Sequence, residues 1–415
     1  MLLSDLKPPF LLKVCISFKP NKTEGPSGLI IHSPSAHPIC RFFSALMSAN
    51  DGTSLTVQAK RVGGDEEVTL HFTQLKLFSH GVFSNVYTGL INDGNEERMV
   101  AIKKCWGSEE DMKEIRILEK LNRFSPKNIV NLLYIYSKNY DEKTCYSLVM
   151  KFVPNSLGSL IRARRPRPLD ILDVKLFAWQ MFRGLQFIHR HGIVHRDLKP
   201  QNILVENETG ALQIADFGSS LITGEADSMS SYQVTRYYRP IELLLGSHKY
   251  NAAIDIWSAG CVFAEMLRGR TFLPGTSTEN QLEKIVDCFG LPTTEQLRFM
   301  YARRTRLLQK EPVVHAAQNY ERRGGNSLSR LLPDAPPQAI QLLEKIFDYN
   351  PRARLCGPRL LGSSFFDEIF DSNNQRNGKP LDLLTRVDLA RAVAGDLSRE
   401  SLESHTGAGS GEVPR

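Results

Sequence analysis

Apolar and polar residues alternate along an early part of the chain. From Val68 to about residue 152 this period of two predicts β-strands. Asp93-Gly94 lies between two of these runs, which indicates a hairpin turn. One segment instead repeats its apolar residues at a helical spacing, at Met112, Ile115, Leu118 and Leu121. Residues 67–152 are therefore predicted to form a small antiparallel β-sheet lobe with five strands and one helix.

The pattern changes to a helical period after Pro154. Apolar helices are predicted at 173–190, 254–269, 281–290 and 337–349. The sequence thus predicts an α+β fold in which residues 153–370 form a larger, mainly α-helical lobe. A cleft between two lobes is a common place for a ligand.

Both ends of the chain differ from this pattern. Residues 1–66 are rich in Pro, Ser, Gly and Asn and show no sustained period, which predicts a disordered N-terminal extension. Met47 resembles an ordinary start, so the first 46 residues could be an optional extension or an artefact of the gene model. Residues 371–415 are predicted to form a mostly disordered tail with one short amphipathic stretch at 383–395.

Composition narrows the class of protein. The chain has 415 residues, of which 41% are hydrophobic and 23% charged, which is enough for a sizeable core. No apolar run reaches the ~18 residues of a membrane span, and charges and prolines make the apolar N-terminus a poor signal peptide.

Seven cysteines without a CxxC pair indicate reduced thiols, so we expect a cytoplasmic protein that could also be nuclear. The net charge of +7 permits acidic partners, and we expect neither nucleic acid nor a membrane as partner.

Four polar motifs follow one another in a fixed order. Val100-Ala101-Ile102-Lys103 precedes His195-Arg196-Asp197, which is followed by Asn202 and then by Asp216-Phe217-Gly218. Each motif lies in the required strand or loop context, and the ordered set is much more specific than one motif alone. On these residues the chain resembles a eukaryotic protein kinase over about residues 68–370. The resemblance implies a two-lobed kinase fold that binds ATP and Mg²⁺ between the lobes.

The resemblance implies four catalytic residues. Asp197 would orient the attacking hydroxyl, and Lys199 would neutralise the transferred phosphoryl group. Lys103 would contact the α- and β-phosphates of ATP, and Glu114 would hold Lys103 in position.

Further residues are implied for Mg²⁺ and the nucleotide. Asn202 and Asp216 would hold magnesium, since hard cations prefer oxygen ligands. The nucleotide-binding residues would be Gly81, Val86, Ala101, Lys103, Met150, Lys151, Phe152 and Val153. Met150 would be the gatekeeper, and residues 151–153 would form the hinge that binds adenine through its backbone.

The phosphate-binding loop departs from the family pattern. The family has G-x-G-x-x-G-x-V, whereas residues 79–86 keep only Gly81 and have serine at the other two glycine positions. Serine at strained backbone angles costs about 1 kcal/mol, which would weaken ATP binding roughly tenfold without abolishing it. This loop favours an alternative, a catalytically weak pseudokinase that acts by binding or as a scaffold. The retained Asp197, Asn202 and Asp216 favour active catalysis.

The next segment narrows the family. Residues 231–246 read SYQVTRYYRPIELLLG and resemble the activation segment of glycogen synthase kinase-3. Such a segment serves protein substrates, so a small-molecule kinase is disfavoured and transfer to Ser or Thr hydroxyls of proteins is expected. By resemblance, Tyr232 would be autophosphorylated, Arg236 would meet its phosphate, and Thr235 would line the substrate site.

Three other residues are expected to be structural. Asp255 would brace the catalytic loop from the helix below, and Glu242 would form a buried ion pair with Arg354. The usual A-P-E triplet is Pro240-Ile241-Glu242 here, so the Glu is kept but the turn before it is altered.

A pocket for a priming phosphate is degenerate. The family favours substrates already phosphorylated four residues C-terminal to the target, which it binds with Arg, Arg and Lys. The matching residues here are Lys113, Arg196 and Leu221. Lysine lacks the bidentate geometry of arginine and leucine lacks charge, so binding of the phosphate could lose about 1.5–3 kcal/mol. We therefore predict a weakened preference for primed substrates.

Two basic segments bear on partners. The region 270–310 corresponds to the family's scaffold-docking surface, but it contains Arg303, Arg304 and Arg306, which puts scaffold binding in doubt. The run RARRPRP at 162–168 could be a solvated linker, a nuclear-import patch or a contact for acidic substrates, and we favour the first.

Overall fold

The computed structural model describes residues 54–64, 66–80, 84–92, 97–107, 112–140, 143–224, 235–325 and 327–396. All of them lie in one compact unit, Gly52–Arg415. The predictions for residues 1–46, the Asp93-Gly94 turn, Gly81 and Tyr232 lie outside the described residues and stay predictions. The predicted α+β fold, with a β-rich and a helical lobe, is confirmed.

The smaller lobe is a closed antiparallel barrel with the strand order β1-β2-β3-β4-β6-β5. The strands are β1 (Leu55–Arg61), β2 (Glu67–His80), β3 (Ser84–Asn92), β4 (Glu97–Trp106), β5 (Leu132–Tyr140) and β6 (Lys143–Lys151). Helix α1 (Lys113–Asn122) follows β4. Alternate strand residues point inward, so Leu70, Phe72 and Val100 are fully buried.

The N-terminal boundary of this lobe differs from the prediction. We expected the lobe to begin at residue 67, with disorder before it, but β1 pairs with β2 and also with β5. Leu55 lies opposite Phe72, and Lys60 lies opposite Ile135. The segment LTVQAKR alternates apolar and polar residues, a pattern typical of a strand. Strand β1 closes the barrel because it pairs with the free edge of β2 on one side and with the free edge of β5 on the other.

The larger lobe is mainly helical. Its helices are α2 (Leu157–Arg164), α3 (Ile171–Arg190), α4 (Ile241–Leu244), α5 (Ala253–Arg268), α6 (Thr278–Phe289), α7 (Thr294–Phe299), α8 (Glu311–Arg322), α9 (Leu328–Leu331), α10 (Pro337–Ile346), α11 (Gly357–Leu361) and α12 (Arg386–Ala394). Helices α3 and α5 cross its centre, where Trp179 and Trp257 are fully buried. No helix in the described part of the chain is long and apolar enough to cross a membrane.

Short strands connect these helices and position the site. They are β7 (Asn155–Ser156), β8 (Ile193–Val194), β9 (Ile203–Val205), β10 (Leu212–Ile214), β11 (Leu221–Ile222), β12 (Gln375–Arg376) and β13 (Lys379–Pro380). The loop between β8 and β9 carries Asp197 and Asn202, and the segment between β10 and β11 carries Asp216. Because β8 pairs with β11 and β9 pairs with β10, the two loops lie side by side.

The C-terminal boundary also differs from the prediction. We expected residues 371–415 to be mostly disordered, but α12 and the segment before it pack on the larger lobe up to residue 396. Leu381, Leu384 and Ala392 are buried. The amphipathic stretch at 383–395 docks because its apolar residues meet the core of the lobe.

The region 270–310 is covered in part by the chain itself. Helix α6 packs against α8, whose Val313 and Ala316 are buried. The ring of Tyr320 would lie 2.7 Å from a Cβ on Gly290, directly after α6. Arg303 and Arg304 donate their backbone N–H groups to the carbonyl of Leu245, at 3.0 and 2.8 Å. Scaffold docking in this region therefore stays a prediction.

Candidate active site

Lys103 lies at the centre of a cluster of three charged residues. It projects from β4, and its Nζ donates to both carboxylate oxygens of Glu114 on α1, at 2.8 and 2.7 Å. Nζ also donates to Asp216 Oδ1 at 2.7 Å. Burial alone would lower the pKa of Lys103, but the two carboxylates outweigh it and raise this pKa well above its ordinary value. The lysine therefore keeps its positive charge in the site.

Asp216 adopts an uncommon backbone conformation. Its φ of 65° and ψ of 73° lie in the left-handed region, which few non-glycine residues enter. Two hydrogen bonds hold this turn, one from Lys103 to Asp216 and one from the N–H of Phe217 to Glu114 Oε1, at 3.1 Å. Burial would raise the pKa of Asp216, but the charge of Lys103 and its hydrogen bond outweigh it and lower this pKa. Asp216 is thus held as a carboxylate, and its side chain remains 45% exposed.

The carboxylate of Asp197 accepts hydrogen bonds from three residues. Lys199 Nζ lies 2.5 Å and Asn202 Nδ2 lies 3.2 Å from its Oδ2. Thr235 donates to Oδ1 from its hydroxyl at 2.7 Å and from its backbone N–H at 3.2 Å. Asn202 also donates to the Asp197 carbonyl at 2.8 Å, which fixes the loop. A hydroxyl therefore already lies within hydrogen-bond distance of the carboxylate expected to orient the attacking group.

Asp255 braces this loop from the first turn of α5. Its two oxygens accept the backbone N–H groups of His195 and Arg196 at 2.8 and 2.9 Å. The ring of His189, at the end of α3, lies 2.8 Å from Oδ2. Burial would raise the pKa of Asp255, but the hydrogen bond and charge of His189 hold it below the usual range. No motif in the sequence points to His189, because only the fold brings it to Asp255.

The residues expected to surround the nucleotide base lie where the lobes join. Val86 lies on β3, and Ala101 of β4 lies opposite Met150 of β6. Met150 is buried at the end of the barrel, and residues 151–153 lead from it into the larger lobe. Neither backbone polar group of Val153 bonds another described residue. These groups are therefore available to the edge of an adenine ring.

The strands that flank the phosphate-binding loop are paired. His80 of β2 lies opposite Asn85 of β3, and their side chains meet at 2.5 Å between Nδ1 and Oδ1. Phe78, which is 56% exposed, packs edge-on against the hinge residue Phe152, with 5.5 Å between ring centres. Because Gly81 lies outside the described residues, the predicted loss of ATP affinity stays a prediction.

Two side-chain oxygens in the site fit a magnesium ion. Asp216 Oδ2 and Asn202 Oδ1 accept no hydrogen bond from another described residue. Carboxylate and amide oxygens are the ligands that Mg²⁺ prefers, together with water and substrate phosphates. No group of three or more His, Cys, Asp or Glu side chains gathers in the described residues. With Asp216 and Asn202 as ligands, the protein would supply a small part of the coordination, as is usual for Mg²⁺ bound with a nucleotide.

The end of the activation segment is tied to the larger lobe. Glu242 on α4 forms a two-pronged ion pair with Arg354, and both side chains are almost fully buried. Arg236 donates to the carbonyl of Thr276 at 2.8 Å. Its expected partner, phosphorylated Tyr232, lies outside the described residues.

The residues of the degenerate priming pocket have different environments. Arg196 donates to the carbonyls of Ser219 and Ser220, at 2.6 and 3.4 Å, and to the hydroxyl of Tyr250, at 3.3 Å. Leu221 on β11 is 3% exposed and offers no charge. Lys113 begins α1 and is half-buried.

Comparisons with known proteins agree with this geometry. Residues 72–366 match the model of the protein kinase domain family. A curated relative, glycogen synthase kinase 1 of Pyricularia oryzae, is 32% identical over 350 residues, which cover 81% of this chain and 85% of the relative.

Proposed function

The chain belongs to the protein kinase family, and we propose that it is a glycogen synthase kinase-like enzyme that transfers the γ-phosphate of ATP to Ser or Thr hydroxyls of proteins. One observation carries the proposal. Lys103 contacts Glu114 and Asp216 at once, while Asp197 accepts a hydroxyl at 2.7 Å. The groups that bind phosphate and the group that orients a hydroxyl are therefore assembled in one site.

Different residues would bind the phosphates, orient the hydroxyl and neutralise the transferred group. Lys103, held by Glu114, would bind the α- and β-phosphates of ATP and fix their orientation. Asp197 would accept a hydrogen bond from the substrate hydroxyl at Oδ1, the oxygen that accepts the hydroxyl of Thr235 in this structure. Lys199, beside Asp197, would neutralise charge on the transferred group.

ATP and Mg²⁺ are used generally in the protein kinase family, and we assign both to this site. Asp216 and Asn202 would hold the ion, which neutralises charge on the β- and γ-phosphates when bound. Met150 and the backbone of residues 151–153 would hold the adenine.

The alternative, a catalytically weak pseudokinase acting as a binding protein, is not favoured. It rests on the two serines of the phosphate-binding loop. The geometry around Lys103, Asp197 and Asp216 opposes it, because each group meets the partners that catalysis requires.

A weak dependence on primed substrates belongs to the same proposal. The buried Leu221 supports it, because leucine cannot bind a phosphate. The hydrogen bonds of Arg196 to Ser219 and Ser220 support it too, because they already use part of the donor capacity of the guanidinium.

The partners follow from the family in part. Protein kinases act on protein substrates, whereas a scaffold protein near 270–310 and a cytoplasmic or nuclear location are proposals. The five cysteines in the described residues are free thiols, which supports a reducing compartment. Fluorescence microscopy of the tagged full chain would test the location.

The first experiment measures phosphate transfer from ATP-Mg²⁺ by the purified chain to a general Ser/Thr protein substrate, with Asp216→Asn as control. Mass spectrometry of the same samples scores phosphorylation of Tyr232. We expect labelling by the wild type and none by the variant. If neither protein transfers phosphate and ATP does not raise the melting temperature, the binding-protein alternative replaces the proposal.

A further inference from the structure

A cleft beside the catalytic aspartate is lined by more positive than negative charge. It is an open cleft that lies between α2, the catalytic loop and α5. Its charged lining residues are Arg162, Arg165, Lys199 and Glu265. Thr235, which donates to Asp197 at 2.7 Å, also lines it. A side chain that enters this cleft is therefore close to the target hydroxyl of a bound substrate.

Local structure directs Arg162 toward the catalytic loop. Helix α2 begins at a capping box between Ser156 and Ser159 and packs on the turn that contains Pro200. A Cβ on Gly158 would lie 3.4 Å from Pro200 and 3.5 Å from Arg162 Nη1. The guanidinium thus folds back along the helix toward the residues that follow Asp197.

The backbone that follows α2 and Arg165 packs against the C-terminal end of α5. The N–H of Leu169 donates to the carbonyl of Met266 at 3.2 Å. A Cβ on Gly269 would lie 2.6 Å from the carbonyl oxygen of Arg167, so only glycine permits this close approach. Arg165 and Glu265 line the same cleft, and the positive charge of Arg165 acts on the Glu265 carboxylate.

The acidic residue of the cleft is already engaged. Glu265 Oε2 accepts the hydroxyl of Tyr238 at 2.8 Å, and Oε1 accepts that of Thr271 at 3.4 Å. Neither Arg162 nor Arg165 forms a side-chain hydrogen bond or ion pair with another described residue, and both are exposed. Arg164, between them, instead pairs with Asp170 at 2.5 Å and does not line the cleft. Two arginines of this basic run therefore face the substrate cleft with their hydrogen-bond donors available.

We propose that Arg162 and Arg165 form a subsite that binds an anionic side chain of the protein substrate, close in sequence to the phosphorylated residue. Arginine suits this role because its planar donors match carboxylate and phosphate oxygens. The inference rests on the proposed protein kinase activity and adds a substrate class to it. Of the three interpretations of residues 162–168, it favours the contact for acidic substrates over the solvated linker.

The test uses peptides with one target serine and otherwise neutral residues. A glutamate, a phosphoserine or a lysine is placed in turn at each position near the target, and kcat/KM is measured for each peptide. The enzymes are the wild type, the double variant Arg162→Gln/Arg165→Gln, and the matched control Arg164→Gln. The control removes the same charge from the same segment but outside the cleft. The glutamate and phosphoserine peptides distinguish acidic substrates from already phosphorylated ones.

We expect the wild type to prefer an anion at one position by about tenfold over the neutral peptide, because two exposed arginines add modest ion pairs. The preference should shrink at higher salt. The double variant should lose it, Arg164→Gln should keep it, and Arg162→Glu/Arg165→Glu should favour the lysine peptide instead. An equal preference in wild type and double variant would overturn the subsite.

A binding measurement separates this inference from the proposed function. Fluorescence anisotropy follows labelled anionic and neutral peptides added to the wild type and the double variant without ATP. If the wild type phosphorylates neutral and anionic peptides alike, the subsite is refuted and the kinase activity stands. If no peptide is phosphorylated but the wild type binds the anionic peptide more tightly and the double variant does not, the activity is refuted and the subsite stands.

Discussion

Arg354 Nη1 and Nη2 lie 2.7 and 2.8 Å from the two carboxylate oxygens of Glu242, which lies 112 residues earlier in the chain. The pair is shielded from solvent, since the side chain of Arg354 is 0% exposed and that of Glu242 is 2% exposed. Arg354 also donates to the carbonyls of Asp348 and Ala253 and stacks on Trp257, 5.1 Å from its ring centre. The end of the activation segment is thereby joined to the core of the larger lobe.

Removal of one member of this pair should destabilise the protein strongly. Arg354→Met leaves the Glu242 carboxylate buried without its partner, and we expect the free energy of unfolding to fall by about 3–5 kcal/mol. Urea denaturation followed by tryptophan fluorescence measures it, because Trp179 and Trp257 both lie in this lobe. The double variant Glu242→Leu/Arg354→Met should recover most of the loss, since it leaves no unpaired buried charge. A single variant within about 1 kcal/mol of wild type would show that the pair contributes little.

The ion pair of Lys103 and Glu114 should affect catalysis more than folding. Glu114→Gln removes the charge that holds Lys103, so the ammonium can shift toward Asp216. A misplacement of about 1 Å lowers kcat/KM by roughly a hundredfold, which is the loss we expect in phosphate-transfer assays. The control is Glu119→Gln on the same helix, whose carboxylate forms no ion pair with another described residue. Equal loss in both variants would mean that the charge of the helix, not the pair, is responsible.

Much of the candidate site could be predicted because its motifs are short and local. Asp197 and Asn202 lie on one loop, so their spacing alone brings them together. The approach of Glu114 to Lys103 could be expected only from the family resemblance, since it depends on how α1 packs on the barrel. His189 could not be found, because nothing in its neighbourhood along the chain indicates a contact with Asp255, 66 residues later.

The boundaries of the folded region were harder to predict for a physical reason. The alternation in residues 55–61 is a weak signal by itself, and β1 is stabilised by pairing with β5, more than 70 residues away. The helix at Arg386–Ala394 is too short to be stable alone in water. It forms because it docks on α3 and the loop before β5, which only the tertiary fold brings near it.

Priming should increase activity only modestly. We expect a peptide with a phosphoserine four residues C-terminal to the target to exceed its unprimed counterpart in kcat/KM by no more than about tenfold. Lys113 and Arg196 remain as cations, but loss of a charge-assisted contact at Leu221 removes about 1.5–3 kcal/mol. Paired peptides assayed at the same salt concentration give the ratio directly. A preference above about a hundredfold would mean that another cation replaces the missing lysine.

The docking of α12 should depend on pH through Asp388. Its Oδ1 lies 3.2 Å from Lys127 Nζ and 3.4 Å from Arg183 Nη2, and its Oδ2 accepts the backbone N–H of Thr385 at 2.9 Å. Burial alone would raise the pKa of Asp388, but the bonds from Thr385 and the two cations outweigh it and lower this pKa. A carboxyl group whose pKa is lowered by folding stabilises the protein above its unfolded-state pKa, and this stabilisation is lost as the pH falls through the folded-state value.

Asp388→Asn should therefore cost about 1–3 kcal/mol of unfolding free energy near neutral pH, because Arg183 loses a buried ionic partner. The difference in unfolding free energy between wild type and Asp388→Asn should have its full size above about pH 5. It should shrink below about pH 4, because protonation then makes the wild-type side chain uncharged, like the asparagine of the variant. Asp382 is an exposed residue of the same segment. Asp382→Asn removes the same charge and should change stability by less than about 0.5 kcal/mol.

Hydrogen exchange of the α12 amides locates the effect, since faster exchange in Asp388→Asn shows that the helix detaches. If the stability difference stayed constant from pH 3 to 7, roughly spanning the ordinary pKa of an aspartate, the contacts of Asp388 would not depend on its charge.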